Sequence, residues 1–541
     1  MVRGSWFTVR MGCHGQRLLA VRALGSLLLL CFCARAETDA WSPTEGWFTL
    51  HHDVARSGRT NYSPGAPFQY AWHRRFFEGM LSPENEPIVA EGLVFVGDWG
   101  GKFYALEAFS GREVWTASAP GGVRHSACYG DGKIYFATIG DRTGGSVLCL
   151  KASTGEKLWE FKPGTRGGFV TSPALYKGKI FLGGRDKVLY CLDAATGAKV
   201  WTFTAGGIYQ QTCAAKDGRV CVSAEDMIPR CFDAASGKVL WEGAKMQSDS
   251  CRFYYPVFWR DTVIFRVCGA DSEINRAQDI IEKATEDGRL ARETRDKYKW
   301  SKPHWDFINS KYQRFTPERF KQEQEFMREQ IAAGNALKSF YMLNVSDGKE
   351  RLVTSVCFAG SENGYSTPTP GPIDASENFY VLFKTLYTQY EYPIRAYDCI
   401  GTLDYQTGLP AMLPKATPSV GSALPITGDE VNNFTIAGDK LFDTHDHVLA
   451  YSDMKTKTVV PAFSSHQTES WGGVLLCYGN AGIYSNPKVD SHPLLKLESP
   501  TSHLTINNEW NGASRGAVAI YKDHVWWITG SLLVCLKGVA P

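Results

Sequence analysis

Asp443, His445, Asp446 and His447 form the densest group of potential metal ligands in the chain. On a strand, His445 and His447 would share one face. The surrounding pattern instead puts the group at a turn. Asp98, Asp186 and Asp226 stand at comparable turns elsewhere, and a closed metal site would need ligands from other segments. His445 and His447 are thus weak metal candidates, and no metal is expected. A second set of polar residues recurs just before short apolar strands: Arg124-His125-Ser126, Thr171-Ser172, Gln210-Gln211-Thr212, Arg252 with Tyr254, Tyr365-Ser-Thr367, Asn432-Asn433, Trp471 and Arg515. Brought together, these groups would suit a small anionic or polyhydroxylated ligand, or simply channel water. No nucleophile elbow, phosphate-binding glycine loop or HExxH zinc motif is present.

The elements that must position these residues follow from a repeat. Ala108-Phe-Ser-Gly-Arg-Glu-Val-Trp115, Ala152-Ser-Thr-Gly-Glu-Lys-Leu-Trp159, Ala194-Ala-Thr-Gly-Ala-Lys-Val-Trp201 and Ala234-Ala-Ser-Gly-Lys-Val-Leu-Trp241 share one signature, with Trp spacings of 44, 42 and 40 residues. A period of this size marks a stacked or radial array. Within one period the chain alternates and turns like four strands, with Asp131-Gly132 supplying the positive φ of a type I′ hairpin. A lone four-stranded sheet cannot bury its faces, so neighbours must cover each other. Each Gly suits a turn with φ > 0. Each Trp falls on the fourth, outermost strand, where its ring can cover the adjacent sheet while its N–H finds a buried acceptor.

The Ala-x-[Ser/Thr]-Gly-x-x-[Val/Leu]-Trp unit resembles the tryptophan-docking motif of PQQ-like β-propeller repeats, strongly over 87–245 and weakly beyond. That family includes quinoprotein alcohol dehydrogenases and non-catalytic relatives such as the outer-membrane assembly factor BamB. The resemblance implies seven or eight blades. The expectation is an all-β, eight-bladed propeller of four-stranded antiparallel blades over 37–541. Later echoes are Tyr254 to Val267, Lys338 to Val353, Phe379 to Asp398, Phe434 to Val460, Gly472 to Tyr484 and Ala517 to Leu536. The last lacks a fourth strand, and a segment near 68–76 carrying Trp72 is expected to supply it and close the ring. Trp72, Trp115, Trp159, Trp201 and Trp241 are the docking residues. His51-His52-Asp53 with Arg56-Ser-Gly-Arg59 resembles the lead-in of secreted members, which implies packing across the ring bottom or rim.

Between 270 and 337 the β pattern stops. Ile274, Ala277, Ile281 and Ala284 fall on one helical face, and Thr316-Pro317 reads as a helix start. This stretch is expected to be a helical insertion in blade five, between its second and third strands. From Asp271 to Leu337 it holds 13 acidic and 13 basic residues, a solvated surface.

Residues 1–36 combine Arg3, Arg10, Arg17 and Arg22, an apolar run from Leu24 to Cys33, and Ala34-Arg-Ala36. This is the pattern of a cleaved signal peptide and is too short to span a bilayer. A secreted or periplasmic location follows. The net charge of +2 gives no reason to expect nucleic acid. Of 15 cysteines, three precede residue 37. Cys149, Cys191 and Cys231 occupy one equivalent third-strand position, which favours buried core residues, whereas Cys213 and Cys221 flank a hairpin and could pair. Asn61-Tyr-Ser63, Asn344-Val-Ser346 and Asn433-Phe-Thr435 are glycosylation sequons.

An active quinoprotein dehydrogenase, by family resemblance, needs adjacent disulfide-bonded cysteines, a Glu and an Asn on Ca²⁺, and an Asp base. The chain has no Cys-Cys pair. The expected function is a binding or scaffold module without PQQ, engaging a protein partner or a small polar or carbohydrate ligand. A quinone- or metal-dependent oxidoreductase using PQQ with Ca²⁺, and a carbohydrate-active propeller enzyme, are the alternatives. The ligand-binding candidates at the channel mouth are Arg124, His125, Gln210, Gln211, Arg252, Tyr254, Asn432, Asn433, Trp471 and Arg515.

Overall fold

In a computed structural model of the chain, residues 45–267 are described apart from 66–67, 77–78, 80, 83–84, 141–143, 165–166, 249 and 253, together with 280, 283–284, 287–289, 317–336, 338–355, 370–387, 395–411, 424–425, 433–445, 448–454, 458–467, 472–477, 505–507, 518–529 and 532–538. The expected signal segment, Ile274, Ala277 and Ile281 of the first expected helix, and Tyr365 to Thr367 lie outside these residues.

Residues 46–541 form one unit. Its strands make eight antiparallel sheets, the blades of a β-propeller. In chain order the blades occupy 88–118, 128–161, 174–204, 214–242, 257–352, 379–425, 433–467 and 518–538. The hairpins after the innermost strands turn as the sequence requires, with left-handed pairs at Asp131 (φ 50) and Gly132 (φ 72), and at Asp217 (φ 49) and Gly218 (φ 78). Phe68–Arg75 pairs antiparallel with Leu532–Gly538 and so supplies the fourth strand of blade 8. The ring thus closes by pairing a strand from before blade 1 with the last strand of the propeller.

One contact repeats around the ring. The indole N–H groups of Trp72, Trp115, Trp159 and Trp201 donate to the carbonyls of Ala108, Ala152, Ala194 and Ala234 in the next blade, at 2.9, 2.8, 3.1 and 3.2 Å. Trp241 continues the series onto Val345 O at 2.8 Å. Each ring lies on the glycine of the same turn: a Cβ on Gly197 (φ +73) would sit 2.6 Å from Trp159. Blade 5 carries Leu352 where blades 1–4 and the closing strand of blade 8 carry Trp, and Leu352 still packs on the turn glycine Gly408 of blade 6. The core is a series of inter-blade layers; Phe181 and Leu189 of blade 3, for example, pack with Val220 and Phe232 of blade 4.

Two expectations need correction. Gly472–Cys477 does not begin a blade: it pairs with the outermost strand of blade 7, Thr458–Gln467, and Thr505–Asn507 adds beyond it. An alternating apolar run suits an inner or an outer position equally, so its neighbours decided. Cys213 and Cys221 do not face each other: Cys213 packs in the layer between blades 3 and 4, Cys221 in the layer between blades 4 and 5. Alternation of side chains across a sheet puts them on opposite faces.

Between Thr262–Arg266 and Phe340–Asn344, which pair in blade 5, the chain contains the helix Pro317–Ala332. Its buried face includes Glu323, Gln324 and Met327, and Gln324 accepts a hydrogen bond from Ser355 Oγ at 2.8 Å.

Gly197→Ala is expected to cost about 2–4 kcal/mol, from left-handed strain plus collision with Trp159. Gly132→Ala, equally left-handed (φ +72) but with open space around it, should cost only the strain, about 1–2 kcal/mol. Denaturant midpoints of the two variants check this order.

Candidate functional site

The innermost strand of every blade presents a free edge to the ring axis. Such edges need hydrogen-bond partners, and residues 47–60 provide them. Trp47 and Val89 of blade 1 exchange both backbone bonds, at 2.7 and 2.9 Å. Phe48 O then accepts from Tyr129 of blade 2 (2.7 Å), Val54 O from Ala215 of blade 4 (2.8 Å), Ala55 O from Phe258 of blade 5 (3.2 Å), Ser57 O from Ile373 (2.8 Å) beside blade 6, and Gly58 O from Ile436 of blade 7 (2.9 Å). Arg59–Thr60 continues parallel to the inner strand of blade 7, and Tyr62 meets Tyr521 of blade 8 with ring centroids 5.0 Å apart. The segment thus circles the axis near the inner hairpins and forms a floor. His51 (φ 57), His52 (φ 72), Arg56 (φ 67) and Gly58 (φ 61) take the left-handed backbone that so tight a course demands.

Arg56 pins the floor. Its guanidinium is fully buried and donates to Thr49 Oγ1 (3.1 Å), to Leu50 O (2.5 Å) and, through two nitrogens, to Cys213 O (3.2 and 2.7 Å). Glu86, 1% exposed, accepts the His51 N–H on Oε2 at 2.5 Å. Burial pushes the Glu86 carboxyl up to about 8, against the hydrogen bond from His51 and the charge of Arg56. Burial pushes the His51 imidazole down to about 3, with the Asp53 carboxylate opposing. At neutral pH, Glu86 is therefore mostly a neutral acid and His51 a neutral imidazole.

Above this level the sequence-expected mouth residues lead into the inner strands, and the structure shows what several of them hold. The Glu86 N–H donates to Ser126 Oγ (2.7 Å), the Ser172 N–H to Thr212 Oγ1 (3.0 Å) and the Thr212 N–H to Tyr254 O (2.9 Å), each bond crossing from one blade to the next. One residue earlier, Asn85 Nδ2 donates to Gly97 O (2.9 Å), Thr171 Oγ1 donates to Gly183 O (3.1 Å), and Gln211 Oε1 accepts from the Ser223 N–H (2.7 Å). His125, Gln211 and Tyr254 are buried; Arg124, Gln210 and Arg252 are half-buried. Arg124 stands over the Trp99 ring, 5.2 Å from its centroid, and Trp99 is 40% exposed. Asn433 begins the inner strand Asn433–Ala437. Asn432, Trp471 and Arg515 lie outside the described residues.

His445 ends the second strand of blade 7, opposite Val448 on the third; Asp446 and His447 lie outside the described residues. The comparable aspartates are turn acceptors: Asp98, Asp186 and Asp226 take N–H bonds from Lys102 (2.8 Å), Val188 (3.1 Å) and Ile228 (3.1 Å). Among the described residues no three His, Cys, Asp or Glu side chains cluster as metal ligands.

Glu86 and Trp99 were missed by the sequence reading. Glu86 was legible, because aligning blade 1 with its neighbours puts it level with Ser126, Ser172 and Thr212. Trp99 lacks the turn signature, and only its exposure singles it out.

Comparison with known proteins agrees with the repeat. Residues 69–144 and 143–266 match the family model described as outer membrane protein assembly factor BamB. The chain is 31% identical over 130 residues to a quinoprotein ethanol dehydrogenase of Pseudomonas putida, covering 21% of this chain and 20% of that protein. It is 26% identical over 133 residues to the dehydrogenase subunit of a quinone alcohol dehydrogenase of Gluconobacter oxydans, covering 21% and 17%. The chain thus spans about a fifth of the length of the curated relatives it matches. Among solved structures, quinohemoprotein alcohol dehydrogenase from Comamonas testosteroni superposes with a TM-score of 0.49 at 13% identity, over 83% of this chain and 78% of that one. BamB from Moraxella catarrhalis gives 0.38 at 13% identity, over 70% and 95%.

The two perturbed groups predict opposite pH slopes. The lowered His51 value means the unfolded chain binds more protons between about 3 and 6.5, so stability rises with pH there. The raised Glu86 value means the folded chain binds more protons between 4.5 and about 8, so the stability contributed below 4.5 is lost as pH rises to about 8. Glu86→Gln should remove the second slope: the wild type loses midpoint stability between pH 6.5 and 8 and the variant does not, as thermal unfolding over that range will show. Arg56→Met leaves the carbonyls of Leu50 and Cys213 without their donor, at about 1–3 kcal/mol each. Limited proteolysis should then cut within 46–60 faster than in the wild type.

Proposed function

We propose that this PQQ-like repeat propeller is an exported binding module whose channel mouth receives a ligand or a partner surface, and that it works without a resident quinone. The observation that carries the reading is the use of the axial polar residues. Ser126, Thr171, Gln211 and Thr212 hold neighbouring backbone, and residues 47–60 floor the channel. The Trp99–Arg124 pair stays accessible at the mouth, and Gln210 and Arg252 are half-buried ahead of the inner strands of blades 4 and 5. An indole face with guanidinium and amide donors favours carboxylate- or hydroxyl-bearing ligands.

The fit to PQQ with Ca²⁺ is poor. The eight described free cysteines are all buried, and no two of the chain's cysteines are adjacent in sequence to lie over a cofactor. The relatives named as quinoprotein dehydrogenases match over 130 and 133 residues, about a fifth of this chain.

Export is supported by the basic and apolar pattern of residues 1–36. Among the described residues no helix is long and apolar enough to cross a membrane. Amino-terminal sequencing of the secreted product should begin near Glu37.

Tryptophan fluorescence with an oligogalacturonate as the acidic probe and maltohexaose as the neutral probe tests the mouth. Saturable quenching by the acidic probe is expected, weakened tenfold or more by Trp99→Ala and by Arg124→Ala. Incubation with PQQ and Ca²⁺, followed by desalting, should leave no cofactor absorbance and no dye-linked alcohol oxidation. Retained cofactor with activity would replace the binding module by an oxidoreductase.

A further inference from the structure

Blade 4 differs from its neighbours at one equivalent position. On the face that carries each blade's own docking Trp, the second and third strands pair Phe95 with Ala105 in blade 1, Tyr135 with Cys149 in blade 2 and Phe181 with Cys191 in blade 3. In blade 4 the same position pairs Cys221 with Cys231. The aromatic ring of the other blades is replaced by a second thiol, directly across the ladder from the first.

The register fixes how close these thiols are. Ala234 N–H donates to Gly218 O at 2.8 Å, which makes 218 and 234 a hydrogen-bonded level. Levels alternate along an antiparallel pair, so 220 with 232 is bonded and Cys221 with Cys231 is not. Pro229, which has no N–H, stands opposite Ser223 at another non-bonded level, as that phase requires. Non-bonded partners have Cα atoms only about 4.5 Å apart and their side chains on the same face, within the Cα range of about 4.4–6.8 Å that a disulfide spans. Both cysteines are free thiols in the structure, fully buried in the layer between blades 4 and 5.

We propose that Cys221 and Cys231 form a cross-strand disulfide in blade 4 when the chain folds in an oxidising compartment. The bond forms by thiol–disulfide exchange. One cysteine thiolate attacks the disulfide of a small or protein oxidant of that class and expels one oxidant thiolate. The second cysteine displaces the other from the mixed disulfide. Two protons leave the cysteines, one Sγ–Sγ bond forms, and the oxidant is reduced to two thiols. Because both sulfurs are sealed in the finished layer, exchange precedes the packing of blade 5 on blade 4. Cys251 packs in the same layer, but its thiol hydrogen-bonds to Glu225 Oε1 at 3.4 Å and to Ser223 O at 3.8 Å. Cys213 lies on the opposite face. In the oxidised protein the pair would fasten the two middle strands of the blade preceding the insertion.

The inference rests on the export proposed above, and its test separates the two. The full chain is produced in a bacterial periplasm, alkylated during denaturation without reductant, and digested with trypsin. Residues 220–230 and 231–238 should appear as one linked species, two hydrogens lighter than the sum of the two peptides. Cys251→Ser should preserve that species. Cys221→Ser should abolish it and leave Cys231 alkylated. Reductant should lower the thermal midpoint of the wild type and leave that of Cys231→Ser unchanged. Quantitative alkylation of both cysteines without reductant, or linkage of 220–230 to any other peptide, overturns the proposal. A second arm is independent of export: chain purified from cytosol and exposed to excess oxidised glutathione in partly denaturing urea should gain the same species, and failure to gain it also counts against the pair.

Discussion

Every level of this molecule depends on a tryptophan on the outer strand of one blade lying against the turn of the next. A four-stranded sheet has two apolar faces and too little chain to fold over them. The docking contact joins three effects at one place: burial of a large ring, an indole N–H donated to a carbonyl, and close approach to a glycine that has no Cβ. The turn glycines take positive φ in every copy, so the geometry that lets the ring approach is also one that glycine adopts without strain. Where the tryptophan is lost, as at Leu352, the glycine persists at Gly408 and the contact shrinks to an aliphatic one. The ring needs the close approach at each joint more than it needs the indole.

A ring built this way leaves a second problem at its centre, where the inner strands expose edges to the axis. Residues 47–60 solve it with backbone carbonyls, and the buried Arg56 holds that path in place. Polar residues around the axis then have structural partners: Ser126 and Thr212 bond from one blade to the next, and Thr171 and Gln211 bond the second strand of their own blade. Burial sets the protonation of the remaining groups, so Glu86 and His51 are both mostly neutral near pH 7. Chemistry that needs a carboxylate or an imidazolium is disfavoured there. The accessible polar and aromatic surface is displaced outward to Trp99 and Arg124.

Much of this was legible in the sequence, for reasons specific to the residues. Trp115, Trp159, Trp201 and Trp241 declared their contacts because one ring and one glycine make each joint, and both are read from single letters at a fixed offset. Trp72 announced ring closure in the same way. The run at Gly472–Cys477 could not be placed, since alternation is identical for a strand that starts a blade and one that extends its rim. Ser126, Thr171, Gln211 and Thr212 stand just ahead of the inner strands, and their partners sit 12 residues along the chain or one blade away. A hydroxyl that faces a neighbouring backbone has the same sequence appearance as one that faces a ligand.

The chain by itself determined the period, the strand count per blade, the docking residues and the strand that closes the circle, because all of these follow from local alternation, turn chemistry and repetition. Tertiary structure alone decided which face each cysteine occupies, that residues 47–60 floor the axis, and that a glutamate beside them is held as a neutral acid. Those outcomes depend on register, on burial and on contacts between segments more than a hundred residues apart, none of which is encoded in the identity of any one residue.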